Sequence, residues 1–196
     1  YLTMKISFSN VVKNLCDNVL NIDAHRILDT IGTDKRINKN FLKVGGPFSG
    51  PCLPRDNQAI LNYCKKKNVK NEISIAAIKT NNSILRGFCD DLKNLKNKKI
   101  KSIGFLGLGY KSKAKVIDGS FIPILMKTSK KINLKIFLYD HYLKNIDQKK
   151  LNRCNSLEEV VEKSDIIFLP YIDKIFNKLN RINSSTPIID IWNQIH

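Results

Sequence analysis

The segment IKSIGFLGLGYK, residues 100–111, decides the fold of the second half of the chain. It opens with a continuous apolar run, and further short apolar runs follow it in alternation with helical patterns. The segments concerned are Ile100–Leu108, Phe121–Lys131, Leu134–Tyr139, Leu157–Lys163, Ile166–Leu169, Ile172–Leu179 and Ile188–Ile191. Continuous apolar strands separated by helices are typical of a parallel sheet covered on both faces. The sequence therefore predicts an α/β domain whose ligand binds at the carboxyl ends of the strands.

Three glycines in this segment, Gly104, Gly107 and Gly109, invite comparison with a dinucleotide-binding turn, and Asp140 closes the next predicted strand. Their order is GxxGxG, whereas the dinucleotide fingerprint is GxGxxG. The motif is therefore only a weak indication of a dinucleotide site.

The first half of the chain shows helical periodicity instead. The first predicted helix, Leu2–Leu20, has an apolar stripe at Leu2, Ile6, Phe8, Val12, Leu15 and Val19. The second contains Ile27, Leu28 and Ile31, with Asp23 as its cap and Gly32 at its end. Two further helices are predicted at Asp56–Lys67 and Asn71–Leu95. The Lys/Asn-rich segment Lys93–Lys101 then contains few apolar residues and indicates a domain boundary. Two domains are thus expected, at residues 1–95 and 96–196.

Between the helices lies GGPFSGPCLPRD, residues 45–56, inside a long aperiodic connection that starts at Gly32. Its three glycines let the backbone approach a ligand, and its three prolines fix the path of the chain. Cys52 stands beside Arg55 and Asp56, just before a predicted helix N-terminus, and such a setting favours the thiolate form. Cys52 is therefore either a nucleophile on a stiff loop or a small buried apolar residue in a structural turn.

The chain is strongly basic, with 34 Lys and Arg against 17 Asp and Glu and a net charge of +17. Such a charge is typical of proteins that bind nucleic acid. Lysine, however, supplies 28 of the 34 cations, whereas recognition of phosphates and bases relies on the planar fork of arginine. Lys, Asn and Ile share A/T-rich codons, so genome bias explains the composition better than a nucleic-acid partner. A basic protein still favours small ligands that carry phosphate.

The chemistry of the cysteines and histidines indicates reduced thiols in the cytoplasm and no metal site. The five cysteines show no CxxC spacing and their number is odd: Cys16, Cys52, Cys64, Cys89 and Cys154. No apolar stretch approaches the roughly 18 residues of a membrane span, and no signal peptide is recognisable, so no membrane partner is expected. The chain opens on Tyr1, already in helical pattern, which predicts a fragment.

A series of motifs resembles the UDP-glucose/GDP-mannose dehydrogenase family of nucleotide-sugar 6-dehydrogenases. The motifs are Tyr1–Asn10, Gly32–Ile37, Phe41–Leu42, Cys52–Asp56, Gly107–Lys111 and Asp190–Asn193. They cover nearly all of the chain, and several motifs in order are harder to match by chance than one. The resemblance implies a helical central domain that forms a homodimer, followed by a Rossmann-like C-terminal domain that binds the nucleotide of the sugar substrate.

The resemblance also implies a reaction in which a primary alcohol becomes a carboxylate with two molecules of NAD, as in the conversion of UDP-glucose to UDP-glucuronate. Cys52 would trap the intermediate aldehyde as a thiohemiacetal and then a thioester, and Asp56 would orient or activate the hydrolytic water. The other implied roles are cofactor phosphate binding by Arg55, sugar binding by Phe41, Leu42, Lys43, Val44 and Gly45, UDP binding by Lys111, and contact of Arg36 with the sugar nucleotide of the partner subunit.

Three positions depart from the family pattern: Ser49 replaces a glycine, Pro51 replaces the serine before the thiol, and Asp118 stands where an arginine is expected near the cofactor. Pro51 removes a backbone donor and Asp118 reverses a charge, so substrate identity and NAD binding are open. The cofactor domain of relatives would precede Tyr1, so this chain is not expected to turn over alone. The alternative is a catalytically impaired sugar-nucleotide-binding or dimerisation module.

Overall fold

The structure, a computed structural model, describes residues 1–19, 22–95, 99–143, 152–182 and 185–192. Contacts divide the chain into two compact units, Tyr1–Arg86 (unit 1) and Gly87–His196 (unit 2). This division falls inside a helix and before the boundary expected between residues 95 and 96. The expected domain limits, 1–95 and 96–196, stay a prediction. Asn193, the last residue of the final family motif, lies outside the described residues.

Unit 1 is helical, and unit 2 combines a parallel sheet with helices. The helices of unit 1 are α1 (Leu2–Asp17), α2 (Ala24–Ile31), α3 (Leu53–Lys66) and α4 (Glu72–Leu95), of which α4 ends in unit 2. Unit 2 then contains β1 (Ser102–Leu106), α5 (Ile122–Lys131), β2 (Lys135–Tyr139), β3 (Asn152–Arg153), α6 (Leu157–Lys163), β4 (Ile167–Leu169), a 3₁₀ helix (Lys174–Arg181) and β5 (Ile188–Asp190). The element order confirms the α/β fold class.

All strands of the sheet run parallel, in the order β3-β2-β1-β4-β5. The central strand β1 pairs Ile103 with Ile136 of β2 and Phe105 with Phe168 of β4, and all of its residues are buried. The continuous apolar run that predicted this strand is therefore explained by cover on both faces. Gly104 lets α6 lie directly on the sheet, since a Cβ there would come within 2.4 Å of Val160.

The apolar core of unit 2 includes a group of four phenylalanines. Phe105, Phe121 and Phe168 are almost fully buried. Ring centroids of neighbouring members, which include Phe88, lie 5.7 to 6.5 Å apart, mostly at tilted or edge-on angles. Such pairs add to the free energy gained from burying their area. This core therefore stabilises the sheet, and the loops at the strand ends extend from that sheet.

Two elements of unit 2 differ from the predictions. Strand β3 was not predicted, because its two residues, Asn152 and Arg153, are polar and form no apolar run. It lies at the edge of the sheet and pairs only with β2. The segment predicted at Ile172–Leu179 forms the 3₁₀ helix, whose cap is Asp173.

Helix α1 buries its polar side chains and exposes its apolar ones, so the stripe expected to pack inside the protein lies largely on the surface. Its buried residues are Thr3, Lys5, Ser7, Ser9, Asn10 and Cys16. The exposed residues include Phe8 at 47% and Leu15 at 64% of full exposure. The physical reason is that the polar face forms hydrogen bonds to distant backbone, such as the bond from Ser7 to the carbonyl of Ala77.

Helix α3 begins three residues earlier than predicted. Pro54 lies in its first turn, where a missing N–H costs nothing because that donor has no helical partner. Asp56 is therefore a first-turn residue, and the cap position belongs to Cys52. The cap predicted for α2 is confirmed, since the side chain of Asp23 accepts a hydrogen bond from the backbone of His25.

Candidate functional site

The loop that leads to Cys52 is tied to α1 by the buried side chain of Asn10. Its Nδ2 donates to the carbonyl of Gly46 at 3.2 Å, and its Oδ1 accepts from the backbone of Gly45 at 3.3 Å. Asn10 is only 1% exposed. One amide side chain thus fixes two consecutive peptide units, which also satisfies backbone groups that would otherwise be buried without partners.

A second asparagine holds the same loop from the other side. The Oδ1 of Asn81, in α4, accepts from the backbone N–H of Phe48 at 2.6 Å, and its Nδ2 donates to the carbonyl of Phe48 at 3.0 Å. The ring of Phe48 is itself buried. We refer to Asn10 and Asn81 as the asparagine clamp. Asn10 belongs to the first family motif, but the partners of the two asparagines lie 33 to 36 positions away in the chain, so the contacts could not be predicted from the sequence.

Cys52 occupies the cap position of α3 and is exposed. Its side chain makes no capping hydrogen bond, while its carbonyl accepts from the backbone of Asp56 at 2.8 Å. The buried, purely structural interpretation of this cysteine is therefore wrong. The thiol is accessible and stands at the positive end of the α3 dipole, where a negative charge is stabilised. Whether it acts as a nucleophile stays a prediction.

Arg55 and Asp56 form an ion pair in the first turn of α3. The Nε of Arg55 lies 3.1 Å from Oδ1 of Asp56, and both side chains are about two-thirds exposed. This hydrogen bond, and then the charges of Asp56 and Cys52, raise the pKa of Arg55. The cation expected to meet cofactor phosphates and the carboxylate expected to handle water therefore contact each other, one helical turn from the thiol.

Arg36 is held by its neighbour Asp34 in a two-point contact. Its Nε and Nη2 lie 3.0 and 2.6 Å from the two carboxylate oxygens. The contact lowers the pKa of Asp34 and raises the pKa of Arg36. The next backbone carbonyls, of Ile37 and Asn38, accept from the buried ammonium of Lys5 at 2.8 and 2.9 Å. The exposed guanidinium is thus presented from a fixed turn.

The five residues expected to bind the sugar differ in where their side chains lie. Leu42 and Val44 are buried in an apolar cluster with Cys16 of α1 and with Ala24 and Leu28 of α2. Only the backbone of Leu42 and Val44 is therefore available to a ligand. Phe41 and Lys43 are exposed. Phe41 also adopts a positive φ of 61°, which is uncommon for a bulky residue. Gly45 is buried within the clamped loop.

In unit 2, Lys111 lies in the loop that follows β1. Its side chain is exposed, and its ammonium lies 5.3 Å from the ring centroid of Tyr110. The expected UDP contact therefore sits beyond the carboxyl end of a central strand, the usual position for ligand-binding groups in such sheets.

In the glycine-rich turn of unit 2, a buried aromatic side chain packs directly on Gly107. The phenol of Tyr171 packs against this residue so closely that a Cβ would lie 2.5 Å from its hydroxyl oxygen. Asp140, the other half of the apparent dinucleotide motif, is 3% exposed, and its carboxylate accepts from the backbone of Leu108, Tyr142 and Leu143. Both features serve internal packing, in agreement with the weakness of the motif.

Three further properties bear on function. All five cysteines lie in the described residues, and all are free thiols. In the described ranges, no group of three or more His, Cys, Asp or Glu is arranged to hold a metal ion. Helices long and apolar enough to cross a membrane are likewise absent from the part of the chain that the structure describes.

Comparison with known proteins agrees with the resemblance found in the motifs. The profile of the UDP-glucose/GDP-mannose dehydrogenase family, central domain, matches residues 1–83. A UDP-glucose 6-dehydrogenase from Rickettsia felis is 29% identical over 189 residues, which cover 92% of this chain and 42% of the relative. Another, from Bacillus subtilis, is 35% identical over 112 residues, which cover 57% of this chain and 24% of the relative. The chain thus spans less than half the length of these relatives.

Solved structures show the same fold. A UDP-glucose dehydrogenase from Pyrobaculum islandicum superposes with a TM-score of 0.85 at 19% identity, covering 98% of this chain and 45% of that protein. A GDP-mannose dehydrogenase from Pseudomonas aeruginosa superposes with a TM-score of 0.71 at 19% identity, covering 97% and 47%. At these identities the likeness concerns the fold alone.

Proposed function

We propose that this chain, whose residues 1–83 match the central domain of the UDP-glucose/GDP-mannose dehydrogenase family, is the central and C-terminal part of an NAD-dependent nucleotide-sugar 6-dehydrogenase. The proposed reaction oxidises the primary alcohol of a UDP-hexose, of the UDP-glucose type, to a carboxylate. The observation that supports this function best is the exposed thiol of Cys52, at the end of a loop that the asparagine clamp holds on two sides.

Cys52 supplies the covalent step of the proposed reaction. Arg55 would contribute to holding NAD, and the chemistry that this cofactor would supply is hydride acceptance in each of the two oxidations. Between them the Cys52 thiolate adds to the aldehyde carbon, and the C=O π bond opens to give the oxyanion of a thiohemiacetal. Departure of the second hydride from the same carbon re-forms the C=O bond and leaves a thioester. Water then attacks the thioester carbonyl, the C–S bond breaks, and the thiolate departs. Asp56, whose backbone N–H bonds to the carbonyl of Cys52 one turn earlier, is proposed to accept the proton of that water.

The residues of this chain fit only part of a dinucleotide site. The guanidinium of Arg55 is exposed beside the Cys52 turn and can meet a phosphate, although it must then share its charge with Asp56. Unit 2 does not fit the group, because Tyr171 fills the space over Gly107 and Asp140 is buried against backbone donors. We therefore assign unit 2 to the sugar nucleotide and limit this chain's cofactor contact to Arg55.

The exposed stripe of α1 supports a homodimer in which this helix packs against its counterpart. The exposed apolar residues of α1 and of the turn that follows it lie 37 to 64% exposed: Leu2, Met4, Phe8, Val11, Leu15 and Val19. Apolar patches of this kind mark protein interfaces. We place the protein in the cytoplasm, where its five free thiols are stable.

The dimer is tested by Leu15→Lys, which places a charge in the centre of the proposed interface. We expect sedimentation analysis to show a shift from dimer to monomer. Val69→Lys, at an apolar residue of similar exposure outside α1, is the control and should leave the dimer intact. An unchanged molecular mass in Leu15→Lys would show that the stripe is not the interface.

Catalysis is tested with the protein in its full natural length, by following NAD reduction on addition of UDP-glucose. Cys52→Ala should lower the rate of the second oxidation, and hence of carboxylate formation, on the order of 10³-fold or more, because no covalent intermediate can form. Cys52→Ser should stall after the first oxidation and yield about half of the reduced cofactor per substrate. Cys64→Ala, which changes another thiol of α3, should keep full activity. Substantial activity in Cys52→Ala would contradict the proposed mechanism.

The alternative is a catalytically impaired module that binds sugar nucleotides or forms a dimer. Pro51 and Asp118 favour it, because the first removes a donor beside the thiol and the second reverses a charge expected near the cofactor. A panel of sugar nucleotides separates the two functions. Binding of UDP-glucose without NAD reduction supports the module, whereas reduction with one member of the panel identifies the substrate.

A further inference from the structure

We propose that Asp173 is a positioning residue that fixes the loop carrying Lys111, through contacts with Ser112 and Tyr142. The inference deepens the proposed function and rests on it, because Lys111 matters for catalysis only if unit 2 binds the UDP group. It concerns residues that neither the motifs nor the resemblance singled out.

Asp173 joins the segments that follow three strands of the sheet. Its Oδ2 accepts hydrogen bonds from the hydroxyl of Ser112, beyond β1, and from the hydroxyl of Tyr142, beyond β2, the latter at 2.7 Å. Its Oδ1 accepts from the backbone of Ile175 at 2.9 Å, in the 3₁₀ helix beyond β4. One carboxylate therefore holds together the loops at the carboxyl ends of β1, β2 and β4.

Asp140 anchors the other end of the same loop. Its Oδ2 accepts from the backbone of Leu108 at 2.7 Å, and its Oδ1 accepts from the backbone of Tyr142 at 2.8 Å. Asp140 thus fixes the beginning of the loop and also the residue whose hydroxyl reaches Asp173. Lys111 lies between the two anchored points, next to Ser112.

The surroundings of Asp173 favour positioning over direct ligand binding. At least three donors already use its carboxylate, whereas a carboxylate that binds ribose hydroxyls needs free acceptor positions. Lys111, by contrast, has an anchored backbone and an exposed side chain. A cation on a fixed backbone loses less conformational freedom when it meets a phosphate, so preorganisation raises affinity.

The first experiment measures amide hydrogen exchange of the 196-residue chain without any ligand. Ser112→Ala and Tyr142→Phe each remove one contact to Asp173, and we expect amides of residues 108–114 to exchange about three- to tenfold faster. Amides of β1, β2 and β4 should not change. Ser112→Thr keeps the hydroxyl and should restore slow exchange. Tyr139→Phe removes a neighbouring phenol that contacts His141 instead, and it should have no effect on the loop.

The second experiment measures UDP binding to the same variants by calorimetry. Lys111→Ala should weaken binding about tenfold or more, Ser112→Ala and Tyr142→Phe about three- to tenfold, and Ser112→Thr and Tyr139→Phe not at all. Two results would overturn the positioning role alone. The first is unchanged hydrogen exchange of the loop in Ser112→Ala and Tyr142→Phe. The second is unchanged UDP affinity in these two variants while Lys111→Ala loses affinity. Full affinity in Lys111→Ala, or no UDP binding by the unchanged chain, overturns the proposed UDP site and this inference with it.

Discussion

The two units of this chain distribute polar and apolar residues in opposite ways. In unit 2 the central strand Ser102–Leu106 is entirely buried and the surrounding core is apolar. In unit 1, helix α1 buries Lys5, Ser9 and Asn10 and exposes Phe8 and Leu15. Apolar burial is the general source of folding free energy and has no preferred direction. Apolar burial therefore stabilises the sheet of unit 2, whereas buried polar side chains in unit 1 hold the loop that leads to Cys52.

Two of the buried polar residues of α1, Lys5 and Asn10, contact backbone that belongs to a predicted site. Asn10 binds Gly45 and Gly46, and Lys5 binds the carbonyl groups that follow Arg36. Hydrogen bonds are directional, so they fix orientation as well as distance. The difference between the units indicates that unit 1 uses part of its interior to orient functional loops. Its apolar surface is consequently exposed in this chain, as the proposed dimer requires.

The largest expected effect is the difference in unfolding free energy between two Leu→Ala variants, one in each unit. Leu138→Ala removes a fully buried side chain of β2, and Leu15→Ala removes one that is 64% exposed. We expect the first to lower the free energy of unfolding by about 2–5 kcal/mol because it leaves a cavity. The second should change it by less than about 0.5 kcal/mol when measured at low protein concentration. Urea denaturation measures both.

Similar losses in the two variants would contradict this comparison, because they would mean that Leu15 is packed within its own chain. A large loss in Leu15→Ala that appears only at high protein concentration would instead locate its packing in the dimer. Repeating the denaturation over a range of protein concentrations distinguishes these results.

A smaller effect is expected from the asparagine clamp. Asn10→Ala leaves the N–H of Gly45 and the carbonyl of Gly46 without their partner, which should cost about 1–3 kcal/mol. Asn14→Ala, at an exposed residue of the same helix, should cost less than about 0.5 kcal/mol. The rate at which a thiol reagent modifies Cys52 should also change in Asn10→Ala, because the loop is freed. Equal stability of the two variants would show that Asn10 does not hold the loop.

The smallest effect concerns pH and unit 2. Burial opposes ionisation of Asp173, but hydrogen bonds from Ile175, Ser112 and Tyr142 outweigh it and lower its pKa below the usual value. Because the folded-state pKa is the lower one, the stabilisation is present above the unfolded-state value of about 3.9 and is lost as the pH falls through the folded-state pKa. Asp173→Asn should therefore flatten the acid side of the stability curve.

Denaturant midpoints measured between about pH 6 and pH 2.5 test this dependence. Asp91→Asn, at an exposed carboxylate of α4, serves as the control and should keep the steeper slope of the unchanged chain. The hypothesis is wrong if Asp173→Asn and Asp91→Asn show the same dependence on pH.

Most of unit 2 could be predicted from the sequence because its strands are continuous apolar runs. The predicted segments Leu157–Lys163 and Ile166–Leu169 agree with α6 and β4 to within one residue. The exception is β3, whose polar residues carry no such signal. Periodicity reports burial, so it works where burial on both faces dictates the sequence.

Unit 1 was harder to predict, although its helices were found. The stripe of α1 was detected, but periodicity cannot distinguish a face that packs within the chain from one that meets a partner. The exposed position of Cys52 and the burial of Leu42 depend on contacts far along the chain, as do the hydrogen bonds of Asn10. Motif resemblance located the candidate site, and only the fold shows which groups hold it.

The close packing of Tyr171 on Gly107 has a consequence for how glycine patterns are interpreted. A glycine at φ +127° beneath a phenol is required by a neighbouring side chain, with no bound phosphate needed to explain it. Pattern searches that count glycines after a first strand would assign this turn to the wrong ligand. Under the proposed function, selectivity for the sugar nucleotide must therefore come from side chains further from this turn.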